Sequence, residues 1–168
     1  MINSKKKGNK WELDISHLFS EHFKDEFRRV PQSGAVFGGC NRVRATGVRQ
    51  DAQEILSGDV IVPEWFEFSI ECKSYKDLEL HQIYTGKCAR LDGWLEQGED
   101  DAEFAKKKML LLIKLVRKGT FACLERGVID EKELTEYMVY KNKYIIIDLK
   151  VFLDKYKYQE MIQEKNNV

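Results

Sequence analysis

Asp59, Glu71 and Lys73 are the residues whose types and spacing could do chemistry in this 168-residue chain. Glu71 and Lys73 stand two apart in a stretch, Phe66 to Lys73, that alternates apolar and polar residues as a β-strand does. Both side chains therefore leave the strand on one face. Asp59 opens the preceding β-branched stretch, Asp59 to Val62, directly after Gly58. Pro63-Glu64 supplies a turn, so the two stretches are expected to pair as an antiparallel hairpin that returns Asp59 to the Glu71 end. Two carboxylates held close repel and call for a cation between them. Oxygen ligands that leave room for water and phosphate suit Mg²⁺, with Mn²⁺ as a substitute. A lysine beside such a site orients a water or stabilises developing negative charge. This is the chemistry of metal-assisted phosphodiester hydrolysis. A plainer reading fits the same residues: with 33% of the chain charged, Glu71 and Lys73 could form the solvent face of an amphipathic strand.

The elements that must position these residues follow from periodicity. Trp11, Ile15, Leu18, Phe19 and Phe23 recur at helical spacing, predicting a helix over Asn9 to Lys24 behind a flexible basic arm, residues 1–8. Phe27 to Val30 reads as a short strand. Residues 32–58 read as a long Gly- and Arg-rich loop with one helical turn at Asp51 to Leu56. Leu80 to Leu95 and Glu99 to Lys108 have helical character, and Lys106, Lys107 and Lys108 read as helix-surface charge. Met109 to Val116 and Phe121 to Leu124 read as strands joined at Lys118-Gly119, and Glu131 to Tyr137 as a helical turn. A strand at Tyr144 to Ile147 and a closing helix at Val151 to Gln163 complete the chain. The expected fold is one α/β domain over residues 1–168, a central mixed sheet flanked by helices on both faces.

Composition narrows the class. Lys plus Arg and Asp plus Glu number 28 each, which excludes a histone-like basic protein and an acidic disordered chain. The charge is uneven: residues 1–50 carry ten basic and five acidic side chains. The longest apolar stretch, Met109 to Ile113, is far short of a membrane span of about 20 residues. No apolar run follows Lys5-Lys6-Lys7, so no secretory signal is expected. Four dispersed cysteines without a Cys-x-x-Cys point to a reducing, cytoplasmic setting. Arg42, Arg44 and Arg49, with Lys5, Lys6, Lys7 and Lys10, form a candidate phosphate-contacting surface or an ordinary solvated one.

Gly58-Asp59-Val60 followed by Ile70-Glu71-Cys72-Lys73 resembles the PD-(D/E)xK, or restriction-endonuclease-like, nuclease superfamily. Two further segments resemble archaeal-type Holliday junction resolvases: Lys7-Gly8-Asn9-Lys10-Trp11-Glu12, and Arg29-Val30-Pro31-Gln32-Ser33-Gly34. The resemblance covers residues 7–75 and implies a restriction-endonuclease-like core. It implies that Asp59 and Glu71 ligate Mg²⁺, that Lys73 is the catalytic lysine, and that Glu12 is a further acidic, metal-binding member of the site. Ser33 would sit at the active-site rim near the scissile phosphate, with Arg29 among the DNA contacts. Trp94-Leu95-Glu96-Gln97 resembles the helix after the metal strand in some relatives, where a Gln approaches the site. The chain departs from the pattern in two places: Gly58 replaces the usual Pro, and residues 35–57 form a longer insertion. Glu12 also fits a capping box with Asn9 if the helix starts there; a start near Ser4 makes it mid-helix. His81, just after the catalytic strand, could line the cleft or lie on the surface.

The resemblance implies a homodimeric, divalent-metal DNA endonuclease that resolves branched DNA, with no membrane partner and no organic cofactor. The alternatives are a restriction-like or repair endonuclease on other DNA, or a catalytically silent DNA-binding module. A small stand-alone nuclease fits a phage or a prokaryote.

Overall fold

The computed structural model describes residues 4–31 and 58–156. Ser33, Arg42, Arg44, Arg49, the loop 35–57 and the turn expected at Asp51 to Leu56 lie outside the described residues. The closing helix expected over Val151 to Gln163 instead starts at Leu149 and ends at Lys155, where Tyr156 turns to extended backbone; residues 157–163 lie outside the described residues.

Helix α1 spans Ser4–Phe23. It starts five residues before Asn9, so the Lys5–Lys7 run belongs to the helix and not to a flexible arm. Lysines are good helix formers, and Gly8 costs only about 1 kcal/mol. Asn9 is therefore internal, Glu12 is mid-helix, and the capping-box reading fails. Trp11, Ile15, Phe19 and Phe23 are buried along one stripe. Leu18, on the stripe's edge, is half-exposed.

Among the described residues seven strands form one sheet: β1 (Arg28–Arg29), β2 (Val60–Ile61), β3 (Phe68–Tyr75), β4 (Lys108–Leu115), β5 (Gly119–Glu125), β6 (Met138–Tyr140) and β7 (Tyr144–Asp148). Their order is β1-β2-β3-β4-β5-β7-β6. Among these strands only β3 and β4 are parallel neighbours. Parallel strands need a crossover, and helices α2 (Leu80–Tyr84) and α3 (Ala89–Phe104) supply it. Helix α4 (Leu149–Lys155) follows β7.

The helical pattern over Leu80 to Lys108 divides differently from expectation. Gly86, at φ 67°, ends the first piece. The second runs unbroken through Gly93 and Gly98 to Phe104. Lys106 turns the chain at φ 54°, Lys107 donates to the Phe66 carbonyl, and Lys108 pairs with Glu67 from β4. The three lysines thus form the entry to a strand and not a helix surface. The helical turn expected at 131–137 shrinks to a 3₁₀ turn, Glu131–Glu133. β6 was not expected, because three residues are too few to show alternation.

Helices cover both faces. α1 and α4 pack on Phe68, Ile70, Cys72, Leu110 and Leu112. On the other face, Ile83 of α2 and Leu91, Leu95 and Ala102 of α3 pack on Met109, Leu111 and Ile113. β4 is apolar at five consecutive positions because both its faces are covered. The Trp11 indole N–H donates to the Leu112 carbonyl at 3.2 Å, pinning α1 to the central strand.

Candidate active site

The expected hairpin is present. Val60 pairs with Ile70 in antiparallel register. Gly58 approaches β3 closely: a Cβ there would stand 2.7 Å from the Ile70 carbonyl oxygen and 2.9 Å from Ser69 Oγ. Its φ is +80°, which glycine adopts freely and proline cannot. The replacement of the superfamily's usual Pro thus has a local cause. From this turn the Asp59 N–H donates to the Ile70 carbonyl at 2.8 Å, and Val30 N–H donates to the Asp59 carbonyl at 3.0 Å. The Asp59 carboxylate is buried and accepts from the Cys72 N–H at 2.8 Å.

Glu71 and Lys73 do not form a solvent face. Their face of β3 is roofed by α3, and Glu71 is only 3% exposed. Where β4 fills this layer with Met109, Leu111 and Ile113, β3 places Glu71 and Lys73. The Lys73 ammonium pairs with Glu71 Oε1. Gln97, from α3, closes the triangle: its Nε2 donates to Glu71 Oε1 at 2.8 Å and its Oε1 accepts from Lys73 Nζ at 2.9 Å. Gly98 lets α3 come this near, since a Cβ there would lie 3.0 Å from Met109 Cγ and 3.7 Å from Glu71 Cβ. Burial, and then the Asp59 charge, push the Glu71 carboxyl up to about 8 against the pull of Lys73; Asp101 adds to the push.

Cys72 turns to the opposite face, among the α1 residues. Burial raises its thiol pKa first, followed by the charges of Asp59, Glu71 and Glu12. The four ionisable residues read from the sequence therefore gather around one short segment of β3. Glu12 stands apart in one respect, since its Oε2 accepts from Arg29 Nε at 2.7 Å. Among the described residues no three His, Cys, Asp or Glu side chains form a cluster able to hold a metal ion. The hairpin instead offers two buried carboxylates that repel each other. An all-oxygen pair of this kind fits Mg²⁺, which is bound through one or two carboxylates and keeps positions for water and phosphate. A cation between Asp59 and Glu71 would relieve their repulsion.

The model of a family described as "Phage putative PDDEXK endonuclease" matches residues 3–166. The chain belongs to this family. No curated protein and no solved structure matches it. The family description makes this PDDEXK endonuclease a nuclease and names no substrate. Its mixed sheet, flanked by helices on both faces, is consistent with the fold expected from sequence.

Elsewhere in the endonuclease, Lys7 and Lys10 are exposed on α1. His81 is exposed on α2, its Nδ1 3.4 Å from Glu79, so it does not line the cleft. Asp101, one helical turn beyond Gln97, escaped the sequence reading because the run Glu99-Asp100-Asp101 has the pattern of a solvated helix face. An apolar cavity of about 800 Å³, lined by Ile83, Leu115, Phe121, Tyr137 and Met138, contains neither Glu71 nor Lys73. No described helix is long and apolar enough to cross a membrane.

Proposed function

We propose that this PDDEXK endonuclease hydrolyses DNA phosphodiester bonds with Mg²⁺, for which Mn²⁺ substitutes, and that branched DNA such as a four-way junction is its preferred substrate. One observation carries the nuclease chemistry: a buried carboxylate, Glu71, bonded to Lys73 and Gln97 and repelled by Asp59. Asp59 and Glu71 would hold the metal, which when bound supplies Lewis-acid polarisation of the phosphate and a more acidic water. The Cys72 N–H orients the Asp59 carboxylate. Gln97 holds Glu71 and Lys73 in fixed relation, and the α3 roof keeps bulk water from that pair. Lys73 positions the attacking water against the phosphate. Glu12 and Arg29 support the junction reading, because their ion pair joins the two N-terminal segments that resemble junction resolvases. A ligand role for Glu12 would require it to exchange Arg29 for the cation. As the resemblance implies, Ser33 would act near the scissile phosphate, and Lys5, Lys6, Lys7, Lys10, Arg42, Arg44 and Arg49 would contact DNA. A homodimer matches a junction, since two-fold symmetry presents two sites to two equivalent strands.

The test is cleavage of a labelled four-way junction, a matched linear duplex and single-stranded DNA, with Mg²⁺, with Mn²⁺ and with EDTA. Paired symmetric nicks in the junction alone, with a dimeric mass in sedimentation, are expected. Cleavage of linear duplex as well would keep the metal site and overturn the junction preference. Tight binding without cleavage in either metal would make the protein a silent DNA-binding module.

A further inference from the structure

The polar row on β3 does not stop at Lys73. Tyr75 leaves the strand on the same face. α3 runs back over this row, with Gln97, Trp94 and Arg90 at helical spacing. The Arg90 guanidinium carbon sits 4.0 Å from the centroid of the Tyr75 ring. Trp94 meets the same ring edge-on, with centroids 5.9 Å apart. Tyr75 is 38% exposed and Arg90 is exposed. An arginine stacked in this way uses the face of its guanidinium and leaves the N–H groups on its edge for an oxyanion.

Arg28, Arg29 and Arg126 are held by carboxylates. Among the described residues Arg90 has no carboxylate in ion-pair range. The carboxylates nearest in sequence are engaged elsewhere, Asp77 by Lys118 and Asp92 by Lys141 and Tyr140. Arg117 adds a second exposed guanidinium at this end of the sheet, two residues beyond the Leu115 that pairs with Tyr75. The Tyr75 ring lies two strand residues beyond Lys73. That is about 7 Å, or roughly the axial rise of two duplex base steps.

We propose that Arg90, preoriented on a Tyr75 ring that Trp94 braces, binds a phosphate of the substrate strand flanking the scissile one. The inference rests on the reading of Lys73 as part of a nuclease site. It adds an anion subsite on α3, outside the basic N-terminal third of the sequence. The aromatic pair reduces the freedom that Arg90 loses on binding, and the fork grips a phosphate bidentately.

The experiment is fluorescence anisotropy of the full chain on a labelled four-way junction and a matched linear duplex, in EDTA, over a range of salt concentrations. Arg90→Ala should weaken binding roughly tenfold and lower the slope of log affinity against log salt by about one. Arg90→Lys should keep the slope and recover only part of the affinity, because an ammonium has no fork. Tyr75→Leu should weaken binding, and adding it to Arg90→Ala should do nothing more. Lys150→Ala, on α4 across the sheet, should match the wild type. Unchanged affinity and slope for a folded Arg90→Ala overturn the proposal, leaving Arg90 as a cover for Tyr75. If the wild type binds without cleaving and Arg90→Ala still weakens it, the subsite stands and the nuclease reading falls. If the wild type binds neither DNA, both fall.

Discussion

Glu71 is a buried acid beside a second acid, so its neutral isostere should be more stable and inactive. Its folded pKa, about 8, lies above its ordinary value of 4.5. Between these limits the folded chain keeps a proton that the unfolded chain releases. Without metal the fold therefore loses stability as pH rises through that window. Glu71→Gln removes this loss. It should melt several degrees higher than wild type at pH 8.5 and near wild type at pH 4.5, as read by calorimetry in EDTA. A difference that does not change with pH would refute this account of Glu71. The same variant should lose cleavage and keep DNA binding. Gln97→Ala should lower kcat about 10–100-fold with little change in KM, since Gln97 orients the acting groups from outside. At this scale the sequence was legible where period two isolates polar residues on one strand. Glu71 and Lys73 stood out for that reason, and Asp59 because it opens the neighbouring β-branched stretch after Gly58. Asp101 did not, because helical acids look alike whether they face water or a carboxylate. The Glu12–Arg29 pair did not either, because a spacing of 17 residues across a helix and a turn carries no period.

Among the elements, the β2–β3 hairpin and its entry at Gly58 do most to place the Asp59 and Glu71 carboxylates. Gly58→Ala would combine a left-handed backbone, costing about 1–2 kcal/mol, with a Cβ pressed against the Ile70 carbonyl. Lower melting and weaker cleavage are both expected, because the shift would carry Asp59 with it. Wild-type melting would show that the turn accommodates a side chain. α1 is held differently, by an apolar stripe, an indole hydrogen bond and the Glu12–Arg29 and Asp14–Lys114 ion pairs. Trp11→Phe should keep the stripe and lose that bond, costing about 1 kcal/mol in denaturant titration. An unchanged midpoint would show that the Leu112 carbonyl finds another donor. β3 and α1 could be read from sequence because each repeats its period several times, and β4 because of its continuous apolar run. The α2–α3 division was misplaced because glycine marks both ends and close approaches: Gly86 ends a helix, whereas Gly98 lets one pack.

The whole molecule combines a neutral total with a basic N-terminal third. If Arg42, Arg44 and Arg49 meet DNA, neutralising all three should reduce the salt slope of binding by roughly two to three. An unchanged slope would remove that segment from the interface. The layer arrangement was foreseeable from the apolar run of β4, which only a sheet covered on both faces explains. The indole bond that joins α1 to β4 has one more consequence, because its partners are 101 residues apart. At a synthesis rate of about 5–20 residues per second, Trp11 leaves the ribosome roughly 5–20 s before Leu112. During that interval the aromatic face of α1 has no β4 to cover it, and the crossover that roofs Glu71 is incomplete. The nascent chain therefore completes this site only once β4 has emerged, and until then the aromatic stripe of α1 waits for the strand that buries it.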